Sequence, residues 1–108
     1  MKYLNKFEKF GKFEYKPKYG DYIKIKHYSK NIDLSIYYET HIGKVIDCGD
    51  ENILVAYKEK PEESILKYFY YNNERDDYSE IFSINNIVEF GKTKEELELK
   101  LASKKYNL

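Results

Sequence analysis

Two short runs, Gly43 to Cys48 and Ile53 to Tyr57, stand on either side of Gly49-Asp50-Glu51-Asn52. Branched and aromatic residues in runs this short, joined by a polar turn carrying a glycine, specify a β-hairpin. A lone hairpin is marginal in water, so further strands must flank it. The same pattern bounds what else the chain can be. Ile53–Tyr57 is its longest unbroken apolar run, whereas a membrane-spanning helix takes about 20 such residues.

Alternation supplies the first partner. From Tyr22 to Tyr28, Ile23, Ile25 and His27 fall on one face and Tyr22, Lys24, Lys26 and Tyr28 on the other, as in a half-buried strand. Tyr19-Gly20-Asp21 before it reads as a turn, Ser29 to Ser35 as a loop, and Ile36 to Thr40 as an extended arm. Lys58 to Ser64, with Pro61, is a charged loop. Ile65 to Tyr71 is predicted as a strand from its aromatic and branched content, and Asn72 to Ser79 as a solvated turn region. Glu80-Ile81-Phe82 and Ile87 to Phe90 are short extended pieces joined by a single helical turn over Ser83 to Asn86. Past Gly91 the period becomes helical. Thr93 and Glu96 have capping-box spacing, Glu96 and Lys100 stand at i,i+4, and Leu97, Leu101 and Leu108 form a narrow apolar stripe. At the other end, Tyr3, Leu4, Phe7 and Phe10 share a helical face ahead of Gly11, which suits a short helix in a lysine-rich arm.

A chain of 108 residues allows one domain with one modest core. Its apolar fraction of 42% is too high for disorder, and 35% charged residues with a mean hydropathy of −0.80 require a large wet surface. Nineteen basic and nineteen acidic residues cancel, which excludes a histone-like polycation. The balance is uneven along the chain: residues 1–30 carry +6, residues 31–90 carry −8, and residues 91–108 carry +2. Such asymmetry bears on partners and steering, not on fold. A single cysteine, Cys48, and the lack of an apolar leader after the first lysines fit a cytoplasmic protein in a reducing compartment. Lys, Tyr, Ile, Asn and Phe, all with A/T-rich codons, make up 56 of the 108 residues, which associates the chain with a low-GC bacterium or a phage or mobile element inhabiting one.

Gly20-Asp21-Tyr22-Ile23-Lys24-Ile25, then Gly43-Lys44-Val45-Ile46-Asp47, then Ile53-Leu54-Val55-Ala56-Tyr57 resemble the opening strands of SH3-like barrels of the KOW and Tudor kind. Ser83 to Phe90 is similar to the end of such a barrel, where a one-turn 3-10 helix precedes a last short strand. The connection from Tyr28 to Gly43 is longer than a compact KOW motif has. The resemblance covers about residues 20–90 and implies a mostly β fold: a small, five-stranded SH3-like barrel, with a basic N-terminal arm over 1–19 and a C-terminal α-helix over 91–108. It implies no activity, because small barrels host many functions.

Chemistry-bearing groups are sparse. His41 and Cys48 flank one predicted strand and would make a nucleophilic pair, but a lone strand cysteine is ordinarily a small buried hydrophobe. Asp47, Asp50 and Glu51 crowd one turn without the spacing of a calcium loop, and no phosphate-cradling glycine motif occurs. No metal, cofactor or enzymatic activity is therefore expected. Two binding readings remain. Acidic residues cluster in predicted loops as Asp47, Asp50, Glu51, then Glu59, Glu62, Glu63, then Glu74, Asp76, Asp77, Glu80. Converging on one rim, they would meet a protein with a basic surface, with Tyr68, Tyr70 and Tyr71 as aromatic contacts. This is the favoured expectation: a non-catalytic protein-binding module, of the kind a phage or mobile element directs at a host nucleic-acid-handling or defence protein. The alternative is a nucleic-acid-binding barrel whose face is Tyr22, Lys24, Lys26 and Tyr28, rings and ammonium groups alternating as single strands require. A membrane partner is not expected.

Overall fold

A computed structural model describes residues 16–106, with side chains described for 16–104. The elements in chain order are β1 (Tyr22–Ile25), α1 (Ile32–Thr40), β2 (Gly43–Cys48), β3 (Asn52–Tyr57), a 3-10 turn (Leu66–Tyr68), β4 (Tyr70–Asn72), β5 (Asp77–Ser83), a second 3-10 turn (Ile84–Asn86), β6 (Ile87–Gly91) and α2 (Lys94–Tyr106). All strand pairs are antiparallel, in the order β4-β5-β3-β2-β1-β6. The described residues thus form a small, mostly β domain of six strands in one sheet with two helices.

The hairpin joins β2 to β3, pairing Cys48 with Ile53 and Lys44 with Ala56, and a bulge at Ile46 shifts its register. Period-2 alternation drives Val45, Ile53, Val55 and Phe82 onto one face, where Ile23 and Ile25 of β1 join them. Gly43 begins β2 because its neighbours leave no room for a side chain. A Cβ there would overlap Val55 Cγ1 and sit 3.1 Å from Tyr57 Cε1.

Several expectations are corrected. The sheet is not closed into a five-stranded barrel: among the described residues it has six strands, with β4 and β6 at its two edges. Helix α1 stands where a loop is predicted to Ser35 and an extended arm from Ile36 to Thr40. Asn31 accepts a hydrogen bond from Leu34 N at 3.3 Å and caps this helix, and Leu34, Tyr37 and Tyr38 project from it into the core. β1 stops at Ile25, so the alternation through Tyr28 continues past the strand. Ile65–Tyr71 is a buried Ile65, a 3-10 turn and only the start of a strand. Phe69 leaves that turn to pack its ring against Tyr37 and Tyr57, at centroid distances of 5.2 and 6.2 Å. β5 begins at Asp77, within the predicted turn region, and Asp77 and Ser79 are buried.

The C-terminal helix is present as expected. Thr93 Oγ1 accepts from Glu96 N at 3.0 Å, whereas the Glu96 carboxylate reaches Lys92 N at 2.8 Å instead of Thr93 N. That bond, then the Lys100 ammonium, holds Glu96 below the usual carboxylate range. Leu97 is fully buried and Leu101 partly so. The expected helix around Tyr3, Leu4, Phe7 and Phe10, the lysines before residue 16, and Leu108 lie outside the described residues.

Candidate functional site

The sheet has two ends, and the acidic residues divide between them. Asn52 pairs with Ser83 at one end of the β3–β5 ladder and Tyr57 with Tyr78 at the other. Asp47, Asp50 and Glu51 sit at the first end, where Glu51 O accepts from Ile84 N at 3.0 Å and Asp50 lies 4.0 Å from Lys16. Glu59, Glu62 and Glu63 leave the second end of β3, and Glu74 and Asp76 turn there between β4 and β5. The ammonium of Lys58 binds the Arg75 carbonyl across these two loops. The predicted single rim is therefore two groups, separated by about 16 Å of extended strand.

Within the second group the roles differ. Glu63 lies 3.9 Å from Lys60. Asp76 holds a left-handed backbone, φ 54°, and its Oδ1 accepts from Tyr71 OH at 2.7 Å. Asp77 is buried and takes a 2.9 Å bond from Arg75 Nε, while its other oxygen has no partner among the described residues. Glu80 is not on the rim. Its register partner is Val55, which turns it to the inner face, where it accepts a hydrogen bond from Tyr38 OH. Burial raises the Glu80 carboxyl above the usual range, although the Tyr38 bond and nearby His27 oppose that shift.

Of the predicted aromatic contacts, Tyr70 and Tyr71 lie on β4, the short strand at one edge of the sheet, and face opposite sides of it, while Tyr68 ends the 3-10 turn before it. Tyr70 is 74% exposed, and Tyr68 and Tyr71 are also open to solvent. Tyr71 stacks at a tilt on Tyr78, centroids 5.0 Å apart, and Lys67 lies over the Tyr68 ring. Tyr70 pairs with Ser79, and Ile81, two residues along β5 on the same face, is 65% exposed. Sequence reasoning missed Ile81, although its alternation with the buried Phe82 marks it as outward-facing.

The Tyr22, Lys24, Lys26, Tyr28 face is not continuous. Tyr22 and Lys24 share an outward face of β1. The Lys24 ammonium binds the Glu39 carbonyl, and burial holds it below the usual lysine value. Lys26 and the 81% exposed Tyr28 lie beyond the end of β1, with the ammonium 5.3 Å from the ring centre.

The cysteine and histidine do not meet. His41 precedes β2 and Cys48 ends it, with roughly 16 Å of strand between them. The His41 ring stacks on Tyr37, its Nδ1 lies 2.8 Å from the Tyr37 carbonyl, and its Nε2 faces the Glu59 carboxylate. The pair borders an open cavity of about 600 Å³ that Lys94 and Glu98 close from α2. Burial raises the Cys48 thiol above its ordinary value, the opposite of what a nucleophile needs. Among the described residues, no group of three His, Cys, Asp or Glu could hold a metal, and no helix is long and apolar enough to cross a membrane.

The inner face holds a feature that sequence reasoning missed: a tyrosine core. Tyr37, Tyr38 and Tyr57 are buried among Phe69 and Phe82, largely edge to face. Tyr37 OH donates to the Glu59 carbonyl at 2.5 Å, while Tyr57 OH has no partner among the described residues. Desolvation lifts all three phenols far above their usual range, so they stay neutral. The spacing Leu34, Tyr37, Tyr38 is the signal that could have revealed it. Compared with family models, curated proteins and solved structures, the chain finds no match in any of the three.

Proposed function

We propose that the protein is a non-catalytic protein-binding module, and that its docking surface is the β4 end of the sheet. The observation that carries this reading is the exposure of Tyr70 and Tyr71 on β4, which pairs on one side only among the described residues, of Tyr68 in the turn before it and of Ile81 on neighbouring β5. Exposed rings and an open edge supply apolar area and main-chain hydrogen bonds to a partner. Glu74 and Asp76 turn beside that edge, and Lys58 ties their loop to the one carrying Glu59, Glu62 and Glu63, so the partner presents a basic surface. The order of a strand, a 3-10 turn and a closing strand beside β1 supports the SH3-like reading of the scaffold. The codon-biased composition supports a phage or mobile-element inhibitor acting in a host cytoplasm on a nucleic-acid-handling or defence protein.

The test is affinity capture from a low-GC bacterial lysate with the native chain and with a Tyr70→Ala, Ile81→Ser variant. Both side chains are outward, so the fold survives and circular dichroism verifies it. The native chain retains a stoichiometric protein that the variant loses. Recovery of nucleic acid alone, or equal retention by the variant, would overturn the reading.

A further inference from the structure

The opposite side of the sheet carries an unbalanced lysine cluster. Tyr22 of β1 lies between Lys44 of β2 and Gly91 of β6 in register, and the ammonium groups of Lys44 and Lys94 sit 5.4 and 5.9 Å from its ring centre. Beside Gly91 opens a cavity of about 230 Å³ whose lining includes Lys18 and Lys92. Backbone bonds tie the Lys18–Asp21 turn to β2, Gly20 N to Val45 O and Val45 N to Asp21 O, both 2.8 Å, so the two lysine groups share one frame.

Of the acids nearby, Asp21 and Glu96 are engaged, while Glu98 lines a cavity with Lys94. Asp21 accepts from Lys18 N at 2.9 Å, and Glu96 takes Lys92 N and the Lys100 ammonium. Lys18, Lys44, Lys92 and Lys94 make no salt bridge among the described residues, although the Lys92 charge is felt by Glu96. Four like charges held on a rigid seam repel one another unless an anion spans them. The ring of Tyr22 fixes two of them by cation–π attraction.

We infer that this β1–β6–α2 seam binds the phosphate backbone of a single-stranded nucleic acid without reading its sequence. Tyr19, 73% exposed and next to Lys18, provides a ring on which a base can stack. Lysines act as point charges, and the chain's one arginine, Arg75, is bonded to Asp77 on the far side of the sheet, so no bidentate reader of base edges faces the seam. β4, with Glu74 and Asp76 at its turn, lies across three intervening strands from β1, and the acids nearest the seam are Glu59 and Glu98 on the cavity that Lys94 lines and Asp50 beside Lys16. The inference stands on different residues from the protein-docking proposal and survives or fails separately.

The experiment is fluorescence anisotropy of the full chain with labelled dT15 and with a duplex of equal length, from low to moderate salt. Four neutralised phosphates give log K against log salt a slope of roughly −3 for the single strand. Lys92→Gln with Lys94→Gln, and separately Lys18→Gln with Lys44→Gln, each flatten the slope by about 1.4. Tyr19→Leu weakens binding about tenfold at unchanged slope. Lys67→Gln, on the acidic side, changes neither. Absence of dT15 binding near 50 mM salt overturns the inference, as does a slope that neither double variant moves. Duplex binding as tight as single-strand binding, or binding confined to phosphatidylserine vesicles, overturns it equally.

Discussion

Glu80 shows how one residue's register decides its chemistry. Its sequence neighbours Asp76 and Asp77 place it in an acidic run, and from the sequence it reads as part of a rim. Pairing with Val55 instead turns it onto the aromatic core, against Tyr38. A one-residue slip would have exchanged its face, and nothing local to residues 76–80 fixes that slip. Because burial raises its folded-state pKa, Glu80 favours the native state in its neutral form. That contribution is complete below the ordinary carboxylate range and disappears as pH rises through the elevated value. Glu80→Gln, which keeps an acceptor for Tyr38, is therefore more stable than the native chain at pH 7. Denaturant midpoints measured from pH 3 to 8 should converge at the acidic limit. A gap that persists at pH 3 would contradict the assignment. Cys48 gives a second residue-level prediction. Its alkylation rate by iodoacetamide keeps climbing beyond the pH at which an ordinary thiol levels off, because burial disfavours the thiolate. An inflection below the ordinary thiol value would reopen the nucleophile reading.

At the scale of elements, the sequence was clear where one signal dominated and misleading where two competed. The β2–β3 hairpin and α2 were legible because a turn glycine and a cap each stood beside a clean period. In residues 31–40, Ile and Tyr favour extended structure, and that preference hid α1. The cap at Asn31 and the 3,4 spacing of Leu34, Tyr37 and Tyr38 outweighed it once a core existed to receive those side chains. Asn31→Ala accordingly lowers stability by about 1 kcal/mol in chemical denaturation; no change would mean that packing alone holds the helix. Ile65–Tyr71 failed as a strand for the converse reason. Its aromatic content suits a sheet, but Phe69 is needed in the core and a 3-10 turn delivers it there. Gly43 marks a close approach of β2 to β3 that no sequence pattern disclosed. Gly43→Ala forces Val55 or the strands apart and costs about 2 kcal/mol by the same assay.

Across the whole molecule, the two ends of the sheet are treated differently. On β6, Lys100 Nζ donates to the Phe90 carbonyl at 3.1 Å and Lys104 Nζ to the Val88 carbonyl at 2.6 Å, so α2 occupies edge acceptors that another strand would use. Such lysine cover is a common guard against unwanted pairing. Among the described residues β4 has no strand paired beyond it, and it carries exposed tyrosines instead. The charge asymmetry visible along the sequence becomes a separation in space only in part: Glu74 and Asp76 turn beside β4, whereas Asp50 sits 4.0 Å from Lys16 and Glu59 shares a cavity with Lys94. What the sequence could not reveal was which loops share an end, because that follows from ladder register and strand order. The central claim, that the β4 end is where a protein partner docks, is tested most directly by site-specific photocrosslinking in cells. A benzoylphenylalanine replacing Tyr70 should yield one discrete protein adduct, while the same group replacing the exposed Glu95 on α2 yields none. An adduct from position 95 alone, or no protein adduct from position 70, would contradict the account.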